Sequence, residues 1–296
     1  MSVYIKKEKL YSLRPAFQTM LEEYEGTEKI KLNKDTLELL LFNNESIYGQ
    51  KYKYFLRFNN LNKLDLSELS FDNVDVCRVD FTDLNVKINP QTVFLKNLSY
   101  MKAKSVIFTG SFDGALICNV DFTGSKNALI DPQTISAKNL SFATLKDAQI
   151  NGNFDNTIIR GASFAGAKGK IIINPQNIMN KDLSYTTLEN VVFIGPFDDC
   201  IIESANFNKA IGVKINPNKI YNHNLKKCNV SGVIFTDTIK NCLIQDADFS
   251  EANNVEIDLS TSKFSKDTNM ENAKITTNEY DQKLYELKKA FKIKKY

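Results

Sequence analysis

Residues 172–185 read IINPQNIMNKDLSY, and close variants stand at 87–100 (KINPQTVFLKNLSY), 129–142 (LIDPQTISAKNLSF) and 214–227 (KINPNKIYNHNLKK). Their prolines, Pro90, Pro132, Pro175 and Pro217, lie 42, 43 and 42 residues apart. A phrase repeated at fixed spacing is the mark of a repeat architecture, in which each unit buries its apolar surface against its neighbours.

Inside each long unit runs a shorter period. Leu183, Leu188 and Phe193 are five apart, and after a step of four come Phe197, Ile202 and Phe207. The sister units repeat this with Leu98, Ala103, Phe108, Phe112, Ile117 and Phe122, and with Leu140, Leu145, Ile150, Phe154, Ile159 and Phe164. The fourth reads Leu225, Val230, Phe235, Ile239, Ile244 and Phe249. Five fits neither the 3.6 of a helix nor the 2.0 of a strand. It requires a chain that turns a corner every five residues, so that four corners close one coil. Coils would stack at the spacing of hydrogen-bonded strands, about 4.8 Å.

Two residues before each centre a second inward slot is expected, with room only for small side chains. It holds Ala115, Ala143, Ala148, Thr157, Ala162, Thr186, Cys200, Ala205, Cys228, Cys242 and Ala247, and Val106, Val120, Val191 and Val233 elsewhere. The centres Val93, Phe112, Ile135, Phe154, Ile178, Phe197, Ile220 and Ile239 make one face, with steps that alternate between 19 and 23 or 24. Long and short coils therefore alternate, and the extra residues fall at the Asn-Pro phrase.

The five-residue words ADFSE (247–251), ANFNK (205–209) and ASFAG (162–166) resemble the pentapeptide-repeat family, whose motif runs roughly A-(D/N)-L-x-x. The resemblance covers residues 64–275. It implies an all-β solenoid, a right-handed quadrilateral parallel β-helix, with short α-helical flanking and capping segments. Residues 1–63 are read as a partly helical N-terminal flank, with helices in PAFQTMLEEYEG (15–26) and NKDTLELLLFN (33–43). Residues 64–275 make about ten coils. Residues 276–296 are read as an amphipathic capping helix, with Tyr280, Leu284, Leu287 and Phe291 on one side.

Proline has a fixed φ and no N–H, so the pairs Asn89–Pro90, Asp131–Pro132, Asn174–Pro175 and Asn216–Pro217 are expected outside the hydrogen-bond ladder as corner bulges. Asn127, Gly169 and Gly212 are expected as turn residues beside them. Ile88, Ile130, Ile173 and Ile215 would fold back over the gap. The bulges are either a row of recognition loops or the punctuation of a duplicated two-coil unit. Lys96, Lys138 and Lys181 recur as a basic rail, with His223 in the fourth unit, at what reads as a small inward slot; a buried unpaired ammonium would be very costly, so the chain is expected to shift there and let the Lys tips exit at a corner. Asp113, Asp155 and Asp198 recur as an acidic rail, which Lys240 ends.

The single His and the lack of a CxxC pair leave no metal-ligand or triad spacing, and no catalytic group or cofactor is expected. Five Cys, an odd number, suit reduced structural thiols and a cytoplasmic location. The repeat region carries 21 Lys and Arg against 24 Asp and Glu, so it is close to neutral. The expected role is a non-enzymatic protein-interaction scaffold with an unidentified protein partner. The family resemblance also implies an alternative, a DNA mimic that binds a bacterial type II topoisomerase (gyrase), but that role needs a strongly acidic surface. Direct DNA binding and membrane attachment are not expected. A terminal element could join two copies as a homodimer.

Overall fold

The computed structural model describes residues 18–20, 22–25, 29–31, 41–47, 50–55 and 61–276. They form an all-β solenoid of stacked parallel coils with very little helix. The chain divides into two compact units. The first holds residues up to 130 together with 134–136 and 147–149, and the second holds 131–133, 137–146 and everything from 150 on.

One local rule builds the coil. The carbonyl of each central residue accepts the N–H three residues on, as in Ala205 N to Ile202 O (3.0 Å), Cys200 N to Phe197 O (3.0 Å) and Ala210 N to Phe207 O (2.8 Å). Between them the third residue of the turn is left-handed, φ 59° at Ser204 and 60° at Asp199 and Lys209. A positive φ at that position is the requirement of a type II turn. The residue after the turn then pairs with the next coil. Left-handed corners at Asn190, Gly195, Asp199 and Ser204 fall within the single turn that links Thr187 to its neighbour Asn206.

The ladders follow the alternation read from the sequence. In the second unit Asn139 pairs with Ile158, Thr144 with Ser163 and Asp182 with Ile201, each 19 residues on, while Ser163 to Thr187 takes 24 and Asn206 to Asn229 takes 23. In the first unit Asn97 pairs with Leu116 and Lys102 with Asp121 at 19, and Asp80 with Lys102 at 22.

Both inward classes are buried: the large centres named above and the small slots at Ala115 through Ala247 lie at or below 4% exposure. Phenylalanines gather in threes where the short step brings faces together. Phe108, Phe112 and Phe122 do so in the first unit, with centroids 4.9–5.8 Å apart. Phe193, Phe197 and Phe207 do so in the second, at 5.1–6.1 Å.

The long coils resolve as a turn followed by a return. Asn127, Gly169 and Gly212 are left-handed. Ile88, Ile130, Ile173 and Ile215 are wholly buried. In the second unit Ile173 sits in register with Phe193 and Ile215 with Phe235. Gly212 is required there, since a Cβ on it would meet the Phe193 carbonyl oxygen at 2.8 Å.

The N-terminal flank departs from the expectation. Leu41–Ile47 and Gln50–Phe55 form an antiparallel hairpin, so the helix read at 33–43 does not hold at 41–43. The hairpin's second strand pairs in parallel with Val74–Asp75, Lys53 opposite Val74. It thereby covers a coil edge that would otherwise carry unpaired backbone groups, and this tertiary demand overrides local helix propensity. Helical residues are present at 18–20 and 22–23, inside the other segment read as helix. Beyond Thr276, the C-terminal helix read at 276–296 lies outside the described residues.

Candidate functional site

The repeated phrase folds as a clamp between coils. Asn174 Oδ1 accepts from Gln176 N at 3.1 Å, which sets an Asx turn, and Asn89, Asp131 and Asn216 do the same for Gln91, Gln133 and Asn218. The glutamine amide then reaches up one coil. Gln176 Nε2 donates to the carbonyls of Pro196 (3.1 Å) and Asp198 (2.8 Å). Gln133 Nε2 donates to Asn153 and Asp155, both at 3.0 Å, and Gln91 Nε2 to Ser111 (2.9 Å) and Asp113 (2.8 Å). The rings of Pro90, Pro132, Pro175 and Pro217 are buried and do not project as bulges. Glycine on the next coil makes room: a Cβ on Gly195 would come 2.5 Å from Asn174 Oδ1, and Gly110 and Gly152 face Asn89 and Asp131 in the same way.

The lysines belong to this clamp. Residues 95–96, 137–138, 180–181 and 222–223 are consecutive left-handed pairs. The chain therefore swings out of the small inward slot, and His223 and its three sister lysines are only half-buried, which corrects the inward reading of His223. Lys96 Nζ lies 2.6 Å from Gln91 Oε1, and Lys138 Nζ 2.6 Å from Gln133 Oε1. Lys181 Nζ lies 3.3 Å from the Asp198 carbonyl and 3.5 Å from Asp199 Oδ2.

The acidic positions are also engaged. Hydrogen bonds from Thr134 and Ser111 hold the Asp113 carboxyl below its ordinary range. Asp155 Oδ1 accepts from Asn177 Nδ2 at 2.8 Å, and Asp198 Oδ2 pairs with Lys219 Nζ at 3.2 Å. Both rails exist as recurrent positions, and their polar groups tie one coil to the next.

A different corner carries what the sequence reading left out. The left-handed residues Arg78, Tyr100, Asn119, Phe142, Gly161, Tyr185, Ser204, Lys227 and Asp246 occupy equivalent turn positions. In the second unit backbone hydrogen bonds chain these turns together: Phe142 N to Arg160 O, Gly161 N to Ser184 O, Tyr185 N to Glu203 O, Ser204 N to Lys226 O and Lys227 N to Gln245 O, at 2.8–3.0 Å. Tyr100, Phe142 and Tyr185 are 49%, 50% and 48% exposed. Each is accompanied. The Arg78 guanidinium sits 5.2 Å from the Tyr100 ring and that of Arg160 5.4 Å from the Tyr185 ring. The Phe142 ring lies across Gly161, where a Cβ would collide with it. The aromatics are the last letters of the repeated phrases, so the signal was present as LSY, LSF and LSY.

Among the described residues no group of three or more His, Cys, Asp or Glu side chains is placed to hold a metal ion. Burial pushes the Cys200 and Cys228 thiols up to about 12 and that of Cys242 up to about 11. None of the helices in the described residues is long and apolar enough to cross a membrane. No protein-family model matches this chain, and no curated protein matches it either.

Proposed function

We propose that this chain is a pentapeptide-repeat protein that serves as a non-enzymatic, cytoplasmic interaction scaffold, and that its partner docks on the aromatic corner. One observation carries this reading. The corner accepts Asn119, Gly161, Ser204, Lys227 and Asp246 as readily as it accepts Tyr100, Phe142 and Tyr185. The fold thus sets no demand for an aromatic there, and a bulky residue at positive φ is disfavoured. In the second unit Phe142 and Tyr185, half-exposed at equivalent turns, supply the type of anchor that dominates protein interfaces. The rails fit this role less well, because their charged groups are engaged within the clamp: Lys96 and Lys138 with the glutamines of their own phrases, and Asp155 and Asp198 with the next coil. The same engagement of Asp113, Asp155 and Asp198 disfavours the topoisomerase-binding alternative, which would need free carboxylates in place of phosphates.

The test is a photo-crosslinking amino acid placed at 185, at 142 and, as a control, at Asn208, which is exposed on the next corner of the same unit. Irradiation in the cell that makes the protein is expected to give a discrete protein adduct at 185 and 142 and none at 208. Equal adducts at all three positions, or none at any, would remove the proposal.

A further inference from the structure

The second unit's corner specifies its occupant more closely, on the premise that it is the docking surface. Phe142, Tyr185 and Lys227 follow one another at two-coil steps in the hydrogen-bonded column, with Arg160 on the coil between the rings. Two coils span about 9.6 Å at the strand spacing. A polyproline II helix has three residues per turn and rises about 3.1 Å per residue, so its side chains return to one side every ~9.3 Å. The two periods agree closely enough for successive prolines of a P-x-x-P segment to seat on successive rings. Such a segment leaves its carbonyls unbonded, and it loses little conformational entropy on docking.

The polar groups match this ligand. Arg160 stands on the coil between the rings, half exposed and against the Tyr185 ring, and among the described residues its carboxylate partner is Asp182, 3.7 Å away. The guanidinium has five N–H donors, enough to serve peptide carbonyls as well. One two-coil step beyond Tyr185, Lys227 is exposed and forms no salt bridge among the described residues, with Lys226 beside it. The nearby carboxylates are turned elsewhere: Glu203 Oε2 accepts from Asn224 Nδ2 at 3.1 Å, and Asp246 Oδ1 from Ser265 Oγ at 2.6 Å.

We infer that the corner formed by Phe142, Arg160, Tyr185 and Lys227 binds a proline-rich peptide in the polyproline II conformation, with an acidic residue one turn beyond its second proline: P-x-x-P-x-x-E or its reverse. A single-stranded nucleic acid is the poorer fit. Its bases repeat at a much shorter step than the two-coil spacing of the rings.

The test is fluorescence anisotropy of the full chain with a labelled twelve-residue peptide containing P-x-x-P-x-x-E. Saturable binding is expected, at least tenfold weaker for Tyr185→Ser and severalfold weaker for Lys227→Glu. Moving the prolines to P-x-x-x-P should weaken it as much as Tyr185→Ser does. Serine already stands at the next corner as Ser204, so Tyr185→Ser should keep its melting temperature, and an unchanged melt separates lost binding from lost fold. No saturable binding, binding indifferent to Tyr185→Ser, or preference for an oligosaccharide or oligonucleotide probe would overturn the inference. If the peptide fails while the crosslink at 185 still captures a proline-poor protein, the scaffold reading stands and only this inference falls.

Discussion

Phe207→Ala is expected to destabilise the fold by about 3–5 kcal/mol, the cost of deleting a fully buried aromatic ring and leaving its cavity. Phe207 is wholly buried, with its ring 5.7 Å from Phe197 and 6.1 Å from Phe193. The backbone around it is tied to both neighbouring coils and closed by its own turn, since Phe207 N donates to Asn229 O, Asn206 N donates to Thr186 O, and the Phe207 carbonyl accepts from Ala210 N. The coil cannot collapse into the hole without breaking these bonds, which places the loss at the high end. Phe142→Ala is the matched control. That ring is half exposed and outside the core, so its loss should stay within about 1 kcal/mol. Urea unfolding followed by far-ultraviolet circular dichroism measures both. Similar values for the two variants would contradict the assignment of inward and outward positions.

The second large effect is chemical. At pH 8 in the folded protein, a thiol reagent should modify Cys118 and Cys77, which are half-buried, and leave Cys200, Cys228 and Cys242 untouched. Burial is the main cause. It lifts Cys200 and Cys228 from the ordinary value of 9.0 to about 12, which cuts the reactive thiolate roughly a thousandfold. Cys242, at about 11, loses roughly a hundredfold. The thiols also point at backbone carbonyls, with Cys228 Sγ 2.9 Å from Ile202 O and Cys242 Sγ 3.1 Å from Lys240 O. Mass spectrometry should count two labels when folded and five in denaturant. A third rapid label in the folded state would show that a small slot is open to water.

What could be read in advance depended on how the information is held. The two inward classes were legible because a five-residue turn leaves a strict phase, and Ile202 with Cys200, or Phe164 with Ala162, shows it in residue type alone. The alternation of coil lengths was legible because the Asn-Pro phrase repeats in near-identical letters. The hairpin at 41–55 was not, since the run Leu39–Leu40–Leu41–Phe42 suits a helix as well as a strand and only the exposed edge at Val74–Asp75 decides. The swing at Lys96, Lys138 and Lys181 was legible from the cost of burying an unpaired ammonium; its form, a left-handed pair, was not, because none of these residues signals one. The charges on the rails were visible, but the partners of Asp155 and Asp198 are 22 and 21 residues away and follow from coil height, and the pairing of Lys96 with Gln91 follows from the local swing of the chain. Tyr100, Phe142 and Tyr185 could be seen as repeated letters. Their exposure follows only once the turn is known to put the second residue after each centre outside.

Stacked coils that advance evenly, one strand spacing at a time, set the geometry of the second unit. Thr144, Ser163, Thr187, Asn206, Asn229, Asp248 and Asn269 form one continuous outward column of paired positions. Spin labels on cysteines introduced at 144 and 229, and separately at 144 and 269, span four and six steps of about 4.8 Å each. Cys77→Ser and Cys118→Ser remove the two reactive native thiols. Dipolar spectroscopy should return narrow distributions centred near 19 Å and 29 Å, within the reach of the label linkers. Two distances that fail to lengthen together, or broad distributions for both pairs, would contradict the stacked coil and the corner spacing drawn from it.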